Sequence, residues 1–157
     1  MNKRKTVLIA TIEDAWSSVK YPGKKNITFN AYNDEGITDY FAGTTWRRHT
    51  AENLRRHSSA ISSFFTPVAW HYWLPAYLIA AVENIHELSQ GFDSVVYSLD
   101  RNQSNFSKRL ELLSTEQIEA LIQVLELTCE AEQDTPGFYS SSEWKLLEYF
   151  YSVHKNQ

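Results

Sequence analysis

Thr66-Pro67-Val68-Ala69-Trp70-His71-Tyr72-Trp73-Leu74-Pro75-Ala76-Tyr77-Leu78-Ile79-Ala80-Ala81-Val82 is the stretch on which the fold turns. A Thr oxygen caps the free amides of a helix start, and Pro fits the first helical turn, where its missing N–H would have no partner anyway. From Val68 to Val82 only His71 is strongly polar, so this helix is apolar on nearly every face and must be surrounded by other helices. Pro75 removes one hydrogen bond and disfavours helical geometry at Leu74, which predicts a kink or a break there. The segment belongs to a longer run, between Arg56 and Glu83, that holds no Asp, Glu, Lys or Arg and approaches the length of a spanning helix. His57, Pro67, His71 and Pro75 interrupt that run, and its Trp and Tyr residues sit in the middle instead of at the ends. A buried core hairpin is therefore expected, and no membrane span.

Helical spacing continues on both sides. Leu8, Ile12, Ala15 or Trp16, and Val19 recur at three to four residues and predict an amphipathic first helix that stops before Tyr21-Pro22-Gly23. Residues 24–36 read as a polar loop, with Ile27-Thr28-Phe29 as a short extended piece. A short helix over Ile37–Phe41 should end at Gly43, and Thr50 should cap a helix through Leu54 to His57. Downstream, Asp93 is expected to cap a turn through Leu99, and Phe106, Leu110 and Leu113 mark another helix. Ser114 with Gln117 forms a capping box for a helix to Glu132, and Ser140 with Glu143 a second one for a helix carrying Trp144, Leu147, Phe150 or Tyr151, and His154.

The composition suits such a bundle. At 157 residues, with 43% hydrophobic and 22% charged residues, the chain has the core material of one folded domain spanning 1–157, and no linker or repeat divides it. The single cysteine, Cys129, excludes an intramolecular disulfide and a cysteine zinc site, which fits a reducing cytoplasm. Lys3, Arg4 and Lys5 before Val7-Leu8-Ile9-Ala10 resemble the start of a secretory signal, but Glu13 and Asp14 end the apolar run too early.

No catalytic motif emerges. Glu83-Asn84-Ile85-His86 has the Glu-x-x-His spacing of a di-iron helix, yet a second copy and further carboxylates are missing. Arg47-Arg48-His49 and Arg55-Arg56-His57 form a basic patch that reads as a solvated face or internal ion pairs. Ser58, Ser59, Ser62 and Ser63 lie near His57 without a nucleophile elbow, and the chain has too few glycines for a phosphate loop. Cys129 falls on the apolar side of its helix as an inert thiol, and His71 among rings reads as a hydrogen-bonded core histidine. No catalytic, cofactor-binding or metal-ligating residue is assigned.

Charge distribution says more. Residues 1–78 hold ten Lys/Arg against six Asp/Glu, whereas residues 79–157 hold five against thirteen. On the helix after Ser114, Glu116, Glu119, Gln123, Glu126 and Glu130 fall on one stripe, opposite Ile118, Leu121, Ile122, Leu125 and Cys129. Such a row is either a solubilising face or a docking surface for a basic partner. Direct binding of nucleic acid is disfavoured, because the stripe repels phosphates.

Tyr21-Pro22-Gly23, Phe41 with Trp46, Leu54 and His57, and above all Phe64-Phe65-Thr66-Pro67 running into Tyr72-Trp73-Leu74-Pro75-Ala76-Tyr77-Leu78 resemble a group of small bacterial proteins catalogued as a domain of unknown function. The resemblance covers roughly residues 7–125. Small acidic proteins of this kind look like the immunity partners of contact-dependent growth-inhibition and other polymorphic toxins, and that likeness implies a cytoplasmic, non-enzymatic inhibitor of a cognate toxin domain. The expected molecule is an all-α, single-domain, multi-helix bundle around a kinked, aromatic-rich central helix. Its partner is expected to be a basic nuclease, met by the stripe Glu116, Glu119, Gln123, Glu126 and Glu130. An enzyme using the His57 and His71 region, or a regulatory adaptor, is the alternative.

Overall fold

A computed structural model describes residues 2–85 and 90–154. Among the described residues the chain is all-α. Eight α-helices follow one another: α1 (Lys3–Ala15), α2 (Ile37–Phe41), α3 (Ala51–Arg56), α4 (Pro67–Glu83), α5 (Gln90–Ser98), α6 (Phe106–Leu112), α7 (Thr115–Glu132) and α8 (Ser142–His154). Short 3₁₀ turns and one π-turn (Ala60–Phe64) join them, and the only extended pairing among the described residues is an isolated antiparallel bridge between Thr28 and Phe65. The helix α4 is the axle: α1, α3, α5, α6 and α7 all pack on it. No described helix is long and apolar enough to cross a membrane.

The side chains of α4 explain this arrangement. Trp70, Trp73, Leu74, Leu78 and Val82 are fully buried, and Tyr72, Ala76 and Tyr77 nearly so, on faces pointing in different directions. Only a helix enclosed by others buries them all. Its start is the expected one: Thr66 Oγ1 accepts from the Ala69 amide at 3.2 Å with Pro67 in the first turn.

At Pro75 the helix does not break; it runs without interruption from Pro67 to Glu83. A proline at that position takes the partner from the carbonyl four residues earlier, that of His71. That carbonyl instead accepts the Trp16 indole N–H at 2.8 Å. A donor from α1's C-terminal end thus fills the gap in the ladder, and the orphaned acceptor that would favour a break is satisfied.

Other expectations shift in register. Residues 24–36 form 3₁₀ turns, and of the extended piece only Thr28 pairs, with Phe65. Asp34 organises the segment from a buried position. Its carboxylate accepts the Thr28 hydroxyl at 2.8 Å, the Thr38 hydroxyl, and the amides of Thr38 and Gly36 at 3.0 Å each. Burial works to raise that carboxyl's pKa, but these bonds outweigh it and hold it below the ordinary carboxylate range. Gly43 follows α2 with φ of +73°, a left-handed conformation suited to glycine. Asp93 lies inside α5, which starts at Gln90, so it is not the cap expected of it. The α8 cap is Ser141, not Ser140: its hydroxyl accepts from the Trp144 amide at 3.2 Å, which leaves Glu143 out of the reciprocal position of a capping box. The box at α7 is complete, with the Gln117 amide on Ser114 Oγ at 3.1 Å and the Ser114 amide on Gln117 Oε1 at 3.0 Å.

Candidate functional site

The helix α7 is fixed from behind. Ala120, Leu121, Val124, Leu125, Thr128 and Cys129 are buried against the rest of the bundle, with α1, α4 and α8 as neighbours. That leaves the opposite face outward. Glu116, Glu119, Gln123 and Glu130 are exposed, and Glu126 is half-buried.

The row is not uniform along its length. Glu130, at the C-terminal end, receives both terminal nitrogens of Arg4 from α1, at 2.5 and 3.0 Å. This bidentate contact lowers the Glu130 carboxyl and raises the Arg4 guanidinium from their ordinary values. Glu126 is hydrogen-bonded with Tyr151 of α8, whose phenol is pushed up to about 12, first by burial and then by that carboxylate. Glu119 has His154 at 3.7 Å, a separation too long for a good hydrogen bond. Glu116, Glu119 and Gln123 are therefore the part of the stripe most open to a partner, while Glu126 and Glu130 hold α8 and α1 to α7.

The histidines divide between two places. His49 presents Nδ1 to the Tyr40 hydroxyl at 3.2 Å and Nε2 to Thr44 Oγ1 at 3.0 Å, so both ring nitrogens are engaged. His57 stacks on Tyr40 with ring centroids 3.9 Å apart, and its carbonyl accepts the Tyr77 hydroxyl. Burial lowers the pKa of both rings; the neighbouring His57 adds to the effect on His49, and Arg56 to that on His57. His71 stands elsewhere, with Nε2 on Gln117 Oε1 at 2.7 Å and its ring beside Trp16, and burial lowers it too. Gln117 in turn donates to the Ala15 carbonyl at 3.0 Å, so His71 belongs to a bracket joining α4, α7 and α1. The contacts of His57 and His71 share no residue.

Two arginines of the basic patch are engaged with their own surroundings, and Arg48 and Arg55 are exposed. Arg47 lies over the Trp46 ring at 3.9 Å, and Arg56 pairs with Glu52 at 2.9 Å one helical turn away. Cys129 is buried and its thiol is pushed up to about 12, first by burial and then by surrounding glutamates, which keeps it protonated. Among the described residues no cluster of three His, Cys, Asp or Glu side chains is placed to hold a metal ion. His86 of the Glu83-x-x-His86 spacing lies outside the described residues.

Two features escaped the sequence. Arg109 of α6 is buried, donating to the Ser98 carbonyl at 2.6 Å with its guanidinium 5.8 Å from the Trp70 ring centre. Burial lowers its pKa to about 10, and its Nε has no partner among the described residues. It sits where positive charge is favoured, at the C-terminal end of α5. The second is a cleft of about 690 Å³ walled by α5, α8 and the connection after α5. Asp93 and Glu143, fifty residues apart in the chain, both line it. Each is one acid among many in the sequence, and only the packing of α5 on α8 unites them.

A model of a family of unknown function, DUF6714, matches residues 4–153, beyond the 7–125 of the sequence resemblance and through both α7 and α8. No curated protein and no solved structure matches the chain. The chain belongs to the DUF6714 family.

Proposed function

We propose that this DUF6714 member is a non-enzymatic binding protein that neutralises a cognate toxin in the cytoplasm, the toxin being a nuclease whose basic, phosphate-binding surface the α7 face covers. The observation supporting this reading is the row Glu116, Glu119 and Gln123, exposed along one face of an 18-residue helix whose other face is locked into the bundle. Carboxylates held on a rigid element meet a basic surface with little ordering cost, and their field speeds encounter. Glu126, half-buried and bonded with Tyr151, contributes charge from the edge, and Glu130 shares its charge with Arg4.

The experiment is co-expression with an effector encoded beside this gene, where the neighbouring gene encodes one, together with stopped-flow association of the purified pair. Glu116→Lys with Glu119→Lys should slow association by roughly tenfold or more at low salt, with a smaller effect at high salt where screening already operates. Cells carrying the reversed pair should lose protection. Full protection by that variant removes α7 from the interface; no protection by the native chain against the neighbouring effector removes the toxin-inhibitor reading.

A further inference from the structure

We propose that the cleft between α5 and α8 is a binding site for a small organic monocation bearing N–H donors, a primary ammonium on an apolar or aromatic body, held between the carboxyls of Asp93 and Glu143. The inference goes beyond the toxin-inhibitor reading and does not depend on it, because none of the α7 stripe residues lines this cleft.

Size comes first. About 690 Å³ lies within the range of small-molecule pockets and far exceeds what one water or a bare ion requires. The wall is mixed: Val96, Leu99 and Leu146 are buried apolar residues, and Tyr149 adds a ring. An apolar surface with a few convergent polar groups is what a small organic ligand needs for both affinity and orientation.

Charge decides the ligand. Asp93 of α5 and Glu143 of α8 are in side-chain hydrogen-bond contact. Two ionised carboxylates have no hydrogen to share, so this contact requires one proton between them. Burial first, then Glu143 and then the charge of Glu132 on α7, push the Asp93 carboxyl up to about 6. Once the shared proton is lost, two like charges face each other across the cleft. The cations nearest in the lining are Arg101 and Lys145, with Asp100 as a third acid. Arg101 is placed over the Tyr149 ring, at 5.3 Å. The ion pairs among the described residues are Arg4–Glu130, Arg56–Glu52 and His154–Glu119, so neither cation of the cleft bonds its carboxyl pair. Three acids against two bases leave one negative charge for a monocation to neutralise.

An ammonium set between Asp93 and Glu143 replaces the proton and donates to both oxygens. No covalent step is involved. A divalent metal fits less well, since it asks for six or more oxygens and the described residues bring no third metal-ligating side chain to the pair.

Titration of the full chain with tyramine, followed by two-dimensional amide NMR, tests the proposal. Saturable shifts are expected in residues 92–101 and 142–149, with dissociation on the order of 1 mM or tighter at pH 7.5. Choline, a quaternary cation without N–H donors, should bind about tenfold more weakly. Lowering the pH through about 6 should weaken tyramine, because protons compete for the same oxygens. Asp93→Asn with Glu143→Gln, checked for native helicity by circular dichroism, should lose at least about tenfold in affinity, while Glu116→Gln on α7 should bind as the native chain does. No saturable shift, equal binding by the double variant, or calcium binding more tightly than the amine would overturn the site. Failure here leaves the α7 reading intact, and loss of protection by α7 variants leaves this one intact.

Discussion

The aromatic centre around α4 and the acidic exterior formed by α7 and α8 are built on opposite terms. At the centre, Phe65 stacks on Trp73 at 5.3 Å, Phe41 meets the same indole edge-on at 5.1 Å, and Tyr72 and Tyr21 close two further sides. None of these rings is charged, and their contribution to stability comes from area removed from water and from close packing. On the exterior, carboxylates are arranged one turn apart and met by single long side chains such as Arg4 and Tyr151. Contacts of that kind are screened and individually weak. The difference is one of division of labour: the centre holds the fold, so the exterior is free to carry unbalanced charge.

The strongest way to break that division is at Trp73. Trp73→Ala should lower unfolding free energy by about 3 to 5 kcal/mol, a large share of a domain's total, as read by urea denaturation. Trp73→Phe should be much milder. The Trp73 indole N–H is buried without a partner among the described residues, so its removal forfeits no hydrogen bond seen there. A negligible change for Trp73→Ala would show that the centre does not carry the fold.

A second test addresses the seam between α1 and α4. Trp16→Phe keeps most of the ring volume but takes the donor from the His71 carbonyl, which should cost about 1 to 3 kcal/mol. Pro75→Ala restores a backbone N–H one turn along the helix from that carbonyl. In the Pro75→Ala background, Trp16→Phe should therefore be less destabilising than in the native chain. Additive effects in the double-mutant cycle would show that Trp16 is not compensating for the proline.

The same residues show what a sequence read alone reveals. Thr66-Pro67 and the Ser114–Gln117 box act within one turn, and they were legible because both partners lie within four residues of each other. Ser140, Ser141 and Ser142 are chemically alike, so sequence does not distinguish Ser141 as the α8 cap from its neighbours. The continuity of α4 through Pro75 depends on a donor 55 residues before the carbonyl it meets, which no local rule contains. The loop at 24–36 read as irregular because its order comes from the single buried carboxylate of Asp34. For the candidate sites the contrast is sharper. Helical spacing identified the α7 stripe as one face, but not that Arg4 and Tyr151 take up its far end. The Asp93–Glu143 pair has no spacing to read.

The cleft supplies a smaller effect with a definite sign. Asp93 holds its proton more tightly in the folded chain, at about 6, than a free aspartate does. Stability from this pair is thus fully present below the ordinary aspartate value and is lost as pH rises through about 6. Asp93→Asn, which cannot ionise, should raise the melting midpoint at pH 7.5 and leave it nearly unchanged near pH 4. The gain should stay well below about 1 kcal/mol, because Asp93 is exposed and water screens its charge. A stabilisation that persists at low pH would assign the effect to packing.

The smallest expected effect lies at the edge of the exterior, where Arg4 grips Glu130. Both side chains are about half exposed, at 53% and 54% of their full accessibility, so water already solvates each charge and salt screens the pair. A bidentate guanidinium–carboxylate contact is the best geometry available to such a pair, yet exposed pairs rarely contribute more than about 1 kcal/mol. A double-mutant cycle of Arg4→Ala and Glu130→Ala, read by thermal denaturation at low and high salt, should give a coupling below that value that shrinks further with salt. The association rate offers an independent comparison. Releasing Glu130 through Arg4→Ala makes the α7 face one charge more negative, so a basic partner should be captured faster at low salt, the reverse of the effect of Glu116→Lys with Glu119→Lys. A coupling of several kcal/mol would mean that the exterior also holds the fold, and the division of labour between centre and surface would fail at that contact.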